Sequence, residues 1–148
     1  MDEQDMAMFA VFNEIGIINQ LGSTLFQARL PDGLQVPHFA VLNHLVRLGD
    51  GRTPLSIASA FQVPKTTMTH TLAGLEKRGL ITMEPNPTDG RSKVVRLTET
   101  GRAARAAAIA TMAAPIARIR ADLGDEVIFA LLPQLQTLRQ FLDQNRDP

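Results

Sequence analysis

The sequence predicts a mainly α chain with a small β-hairpin, folded as a single domain over residues 1–148. Three observations carry that prediction. Apolar residues recur at spacings of three and four through most of the chain, the period of a one-faced helix. Between residues 80 and 97 the period changes, and two short β-prone runs flank a stretch of turn formers. Pro, Gly and Asp clusters punctuate the helices at Leu30-Pro31-Asp32-Gly33 and Gly49-Asp50-Gly51.

Residues 6–29 read as a long helix whose stripe is Phe9, Phe12, Ile15, Ile18, Leu21, Leu25 and Phe26. A second helix covers 37–48, with Pro37 suited to its first turn. After Thr53-Pro54 a short helix over 55–61 turns Leu55, Ala58 and Phe61 inward. Gln62-Val63-Pro64 connects it to a helix over 65–78 that buries Met68, Leu72 and Leu75 and stops at Gly79. Two short helices joined in this way make a helix-turn-helix. Strands follow at 80–84 and 93–97, with a long charged tip over 85–92. Thr98 caps a helix expected to run over 99–121 and to kink or break at Pro115. Asp122-Leu123-Gly124-Asp125 reads as a turn, and the last helix covers 126–143, with Pro133 inside its Leu-rich stripe.

Composition narrows the function. The chain is 45% hydrophobic, enough for a core, and has no cysteine, which excludes disulfides, thiolate metal sites and thiol nucleophiles. His38, His44 and His70 share no helix face at metal-binding spacing, no serine sits in a nucleophile elbow, and no Gly-rich phosphate loop is present. The expectation is therefore no catalytic residue, no metal and no cofactor. No run reaches about 18 apolar residues, so no membrane span is expected. The acidic start Met1-Asp2-Glu3-Gln4-Asp5 is the reverse of a secretory leader. Cytoplasmic placement is the default.

Formal charge is zero overall, but unevenly spread. Residues 52–105 hold nine cations and four anions, a net of +5, and the remainder is −5. Basic and acidic segments that pair within one fold would give that asymmetry, and so would a polyanionic partner for the middle. The motifs favour the partner. A helix-turn-helix followed by a hairpin is a winged helix-turn-helix, and its second helix fits the major groove of double-stranded DNA. That helix supplies Lys65, Thr66, Thr67, Thr69, His70 and Thr71, short hydrogen bonders and cations, in its exposed N-terminal half, and residues 65, 66, 69, 70 and 73 lie on one face opposite Met68, Leu72 and Leu75. A run of β-branched threonines costs helix stability, so a merely solvated face would more naturally carry Glu, Lys or Ala. Lys65 and the helix start suit phosphate. The hairpin tip offers Asp89, Arg91, Ser92 and Lys93, with Arg91 suited to a narrow minor groove and Asp89 placed to hold its guanidinium.

Three motifs follow one another in order: Leu75-Glu76-Lys77-Arg78-Gly79-Leu80-Ile81, Asp89-Gly90-Arg91-Ser92-Lys93 and Arg96-Leu97-Thr98-Glu99-Thr100-Gly101. With them, residues 53–105 resemble the core of the multiple-antibiotic-resistance regulator (MarR) family of transcription factors. The resemblance implies a 52–105 winged helix-turn-helix subdomain that binds DNA. It also implies a helical dimerisation subdomain over 6–30 and 106–145, with the terminal helices interlocking in a homodimer. Such a homodimer would be a sequence-specific regulator, a ligand-responsive repressor on a palindromic operator, released by a small aromatic or lipophilic effector. The sequence departs from the family pattern at Pro64, where a Ser N-cap is usual, at Gln62, where Gly is common, and at His70, often Arg.

A 36 Å helix (about 1.5 Å per residue) leaves more apolar surface than one small winged helix covers. Phe9, Phe12, Leu131, Leu135, Leu138 and Leu142 are accordingly the interface candidates. Phe12, His38, His44 and Arg47 are the effector-site candidates. The plainer reading is a surface pair, His44 with Arg47, or a hydrogen-bonded core histidine. The alternative function is a winged helix used for protein–protein contact without DNA affinity.

Overall fold

In the computed structural model, which describes residues 1–146, the chain divides into two compact units, Met1–Thr111 and Met112–Pro148.

The first unit opens with α1 (Glu3–Gln27), started by a reciprocal cap in which the Asp2 and Asp5 carboxylates each accept the other's backbone N–H. No residue of α1 is buried. Gln27 ties its end to the next helix: its amide donates to the Leu34 carbonyl at 3.1 Å and its Oε1 accepts the Val36 N–H at 2.9 Å. The expected turn at Pro31-Asp32-Gly33 is a single 3₁₀ turn. Next come α2 (Val36–Leu48), α3 (Pro54–Phe61) and α4 (Lys65–Lys77). Thr53 caps α3 by accepting the Ser56 N–H at 3.1 Å.

Strands β1 (Ile81–Pro85) and β2 (Lys93–Leu97) pair antiparallel, with Ile81 opposite Leu97 and Met83 opposite Val95. A third, one-residue strand is added by Arg52, which bridges Val95. The Arg52 carbonyl accepts the Val95 N–H at 2.8 Å, and the Val95 carbonyl accepts the Gly51 N–H at 3.0 Å. The Arg52 guanidinium reaches back to the last carbonyls of α2, at Leu48 and Gly49. The hairpin root is thereby fixed to the end of α2.

Helix α5 (Glu99–Ala110) starts at Thr98, whose hydroxyl accepts the Gly101 N–H at 2.9 Å and donates to the Gly79 carbonyl at 2.7 Å. The core lies between α2, α3, α4 and the hairpin. Val41, Leu42, Leu45, Ile57, Leu72, Leu75, Ile81 and Val95 are its most deeply buried side chains. Burying each of the larger ones contributes about 1.5–3 kcal/mol. Gly101 is required by packing: a Cβ there would overlap the Leu80 carbonyl oxygen and stand 2.8 Å from Leu97 Cδ1.

The second unit holds α6 (Ala113–Leu123) and α7 (Asp125–Gln144), neither with a buried residue. The single helix expected over 99–121 is thus two. The break falls at Thr111–Met112, one turn before Pro115, because proline cannot donate to the carbonyl four residues back and its ring crowds that carbonyl. Pro133 cannot donate either, yet α7 runs through it. The expected turn at 122–125 shrinks to Gly124, at φ 78°, and Arg120 braces the corner by donating twice to Asp125, at 2.6 and 2.7 Å.

Candidate nucleic-acid interface

The start of α4 has no side-chain cap, since Pro64 occupies the cap position without an oxygen to offer. Gln62, which closes α3, adopts a left-handed conformation at φ 52°, the geometry that makes glycine the favoured residue there. Beyond this corner Lys65, Thr66, Thr67, Thr69, His70 and Ala73 are exposed, while Met68, Leu72 and Leu75 face the core.

Thr71 does not belong to the exposed set. It is 7% exposed and its hydroxyl donates to the Thr67 carbonyl at 3.2 Å. Thr69 makes the same kind of bond to Lys65, at 2.8 Å, but from the exposed side. Its proton is therefore committed, and the face it presents is two oxygen lone pairs and a methyl group.

The hairpin tip is ordered by its own short side chains. Asn86 donates to Ser92 Oγ at 2.8 Å and accepts from the Thr88 N–H at 3.1 Å and hydroxyl at 2.9 Å. Asp89 takes the backbone N–H of Arg91 at 3.0 Å rather than its guanidinium, contrary to the sequence expectation. An acceptor two residues before a backbone N–H closes an Asx-type turn, so the carboxylate shapes the tip and leaves the Arg91 side chain unheld.

Five of the nine cations in 52–105 are engaged within the fold. Arg96 and Arg102 pair with Glu84 at 3.3 Å and Glu99 at 3.5 Å. Arg52 serves the α2 carbonyls, Arg78 donates to the Gly33 carbonyl at 3.1 Å and Arg105 to Asn43 at 3.0 Å. Among the described residues, Lys65, Lys77, Arg91 and Lys93 have no ion pair or side-chain hydrogen bond. They sit at the two ends of α4 and on the hairpin, and all four are exposed.

A sequence model described as MarR family matches residues 32–92. Transcriptional regulator HosA of Escherichia coli O111:H- is 33% identical over 98 residues, a match spanning 66% of this chain and 71% of that protein. The chain belongs to the MarR family. The fold agrees across nearly the whole length of two solved transcriptional regulators. The transcriptional regulator BldR from Sulfolobus solfataricus is 20% identical, with 97% of this chain and 99% of that chain covered at a TM-score of 0.77. A MarR-family transcriptional regulator from Rhodococcus sp. RHA1 is 25% identical, with 93% and 95% covered at a TM-score of 0.71. This MarR-family chain therefore has the winged-helix fold of a DNA-binding transcriptional regulator. Among its described residues no helix is long and apolar enough to cross a membrane.

The four effector-site candidates lie on α1 and α2. His44 is 8% exposed and packs on Phe61, ring centroids 5.2 Å apart. Burial lowers its pKa, assisted by the charges of Arg52 and Arg47, so the imidazole is neutral. Arg47, one turn on, is exposed. His38 turns to α4 instead, with its Nδ1 accepting the Gln35 N–H at 3.2 Å and its Nε2 over Gly74. Phe12 lies on α1, 42% exposed. The interface candidates are open to solvent in this chain taken alone: Phe9 is 61% exposed, Leu131 41%, Leu135 37% and Leu142 45%, with Leu138 half-buried. The signals that sequence reading missed are Arg52, whose single bridge leaves no periodicity, and the role of Asp89, which the spacing to Arg91 alone does not distinguish.

Proposed function

We propose that this protein is a sequence-specific, duplex-DNA-binding repressor that acts as a homodimer on a palindromic operator and is released by a small aromatic or lipophilic effector. The observation that carries the DNA reading is the distribution of unspent charge. Of the nine cations in 52–105, the four that the fold leaves unpaired stand at the ends of a threonine-lined helix and on the hairpin beside it. Lys65 and the uncapped amides at the start of α4 take phosphate. Thr66, Thr67, Thr69 and His70 read base edges in the major groove. Arg91, with Ser92 and Lys93 beside it and Asp89 shaping the turn, enters the adjoining minor groove. The homodimer reading rests on the apolar side chains that α1, α6 and α7 expose, which a second copy would cover. An effector that met Phe12, His44 or Arg47 would find an aromatic ring, a neutral imidazole and a free guanidinium. Those groups suit a planar anion or phenol.

The test is nuclease footprinting of the full-length protein on the DNA immediately upstream of its own coding sequence, with a random duplex at low salt as control. The reading predicts protection of an inverted repeat whose half-sites lie about one helical turn apart. Failure to bind either duplex would favour the protein–protein alternative. Binding without preference would leave an architectural role.

A further inference from the structure

Recognition helix α4 meets α2 at an unusual contact. His70, Gly74 and Arg78 are spaced four apart and form one stripe along α4. Gly74, without a side chain, is a notch in that stripe, and the His38 imidazole fills it. A Cβ built on Gly74 would stand 2.8 Å from His38 Nε2, closer than two such atoms pack. The imidazole is fixed from the other side, because its Nδ1 accepts the Gln35 N–H at the start of α2. It is half-buried. Arg78, one turn beyond the notch, is anchored independently to the Gly33 carbonyl.

We propose that His38 is a positioning residue for the recognition helix. Its imidazole, held by Gln35 and wedged into the Gly74 notch, sets how far α4 stands off α2 and hence how Thr69 and His70 are presented. The proposal rests on the reading of α4 as the DNA-contacting helix. It also makes α2 one of the elements, with α3 and β1, through which a perturbation can reach α4.

The contact needs an unprotonated imidazole. A proton on Nδ1 would remove the acceptor for Gln35 and place a cation in the stripe between His70 and Arg78. Arg78, at the C-terminal cap of α4, and His70, on α4, are the charged or titratable groups that act on His38. Burial first, and then these two charges, lower its pKa, which keeps the wedge in place at neutral pH.

The test compares full-length wild type, Gly74→Ala, His38→Ala and the double variant. On helix propensity alone Gly74→Ala strengthens α4. The proposal predicts instead that it weakens binding to the upstream duplex about tenfold by overpacking the notch. It predicts that adding His38→Ala restores most of that loss. Wild-type affinity retained by Gly74→Ala, or no rescue by His38→Ala, overturns it. An NMR titration of the DNA-free protein decides the same question without DNA. In a His70→Gln background, the Gly74 and Arg78 amide shifts should follow the His38 titration, and His38→Gln should abolish the step. Amide shifts indifferent to His38 protonation overturn the proposal. A wild type that binds no duplex overturns the functional reading, and the titration then decides alone whether His38 positions α4.

Discussion

Thr69 shows how a local bond limits what a residue can read. Its hydroxyl proton is spent on the Lys65 carbonyl, so it can accept from a base amino group or touch a thymine methyl, but it cannot donate. Thr69→Val keeps the shape and removes the acceptor. It should change the ranking of operator variants by about 1 kcal/mol at one position, measured by competition binding, with little change in affinity for random duplex. His70→Ala should likewise redistribute preference. Equal loss on every sequence would make either residue a phosphate contact. The buried His44 and the half-buried His38 give a second prediction. His38 and His44 both have pKa values lowered by burial from the ordinary 6.5, so the unfolded chain binds more protons than the folded one in mild acid. Their neutral forms stabilise the fold fully above about pH 6.5, and that contribution is lost as pH falls through their lower folded values. The thermal midpoint should drop between neutral and mildly acidic buffer, and His44→Phe should shrink the drop.

At the scale of elements, the helix-turn-helix and the hairpin were legible in the sequence because each announces itself locally. The period changes at residue 80, Gly79 and Thr98 mark the ends, and the exposed face of α4 is polar. What was illegible depends on pairing between distant residues. Arg52 joins the sheet through one bridge to Val95, and no alternation marks a strand one residue long. Thr71 looks like its neighbours in sequence, but the helix turns it inward. The break before α6 was misplaced because proline acts on the carbonyl one turn behind it, so the visible residue and the affected one differ. Packing between elements gives a direct test. Gly101→Ala puts a methyl against the Leu80 carbonyl and Leu97, where α5 meets the hairpin root. It should cost about 1–3 kcal/mol of stability in denaturant unfolding, although alanine favours a helix. Unchanged stability would show that α5 can move away from β1.

At the scale of the molecule, the apolar stripes of α1 and α7 were visible in the sequence, but what covers them was not, because a stripe looks the same whichever partner buries it. Phe9, Phe129, Phe141 and Leu21 are each more than 60% exposed in this chain alone, far from the economy of a finished surface. Sedimentation should show a dimer, and Phe9→Glu or Leu135→Glu should shift it toward monomer and weaken operator binding together. A wild-type monomer at micromolar concentration would remove the symmetric reading of DNA. The claim beneath all of this is that the unpaired cations of α4 and the hairpin are there for a polyanion. The most direct measurement is the salt dependence of affinity for a duplex, by fluorescence anisotropy, with wild type and Arg91→Ala side by side. The account predicts a steep fall of log affinity with log salt for the wild type, and a slope shallower by about one unit per protomer for the variant. A wild type that fails to bind at low salt, or two identical slopes, would contradict it.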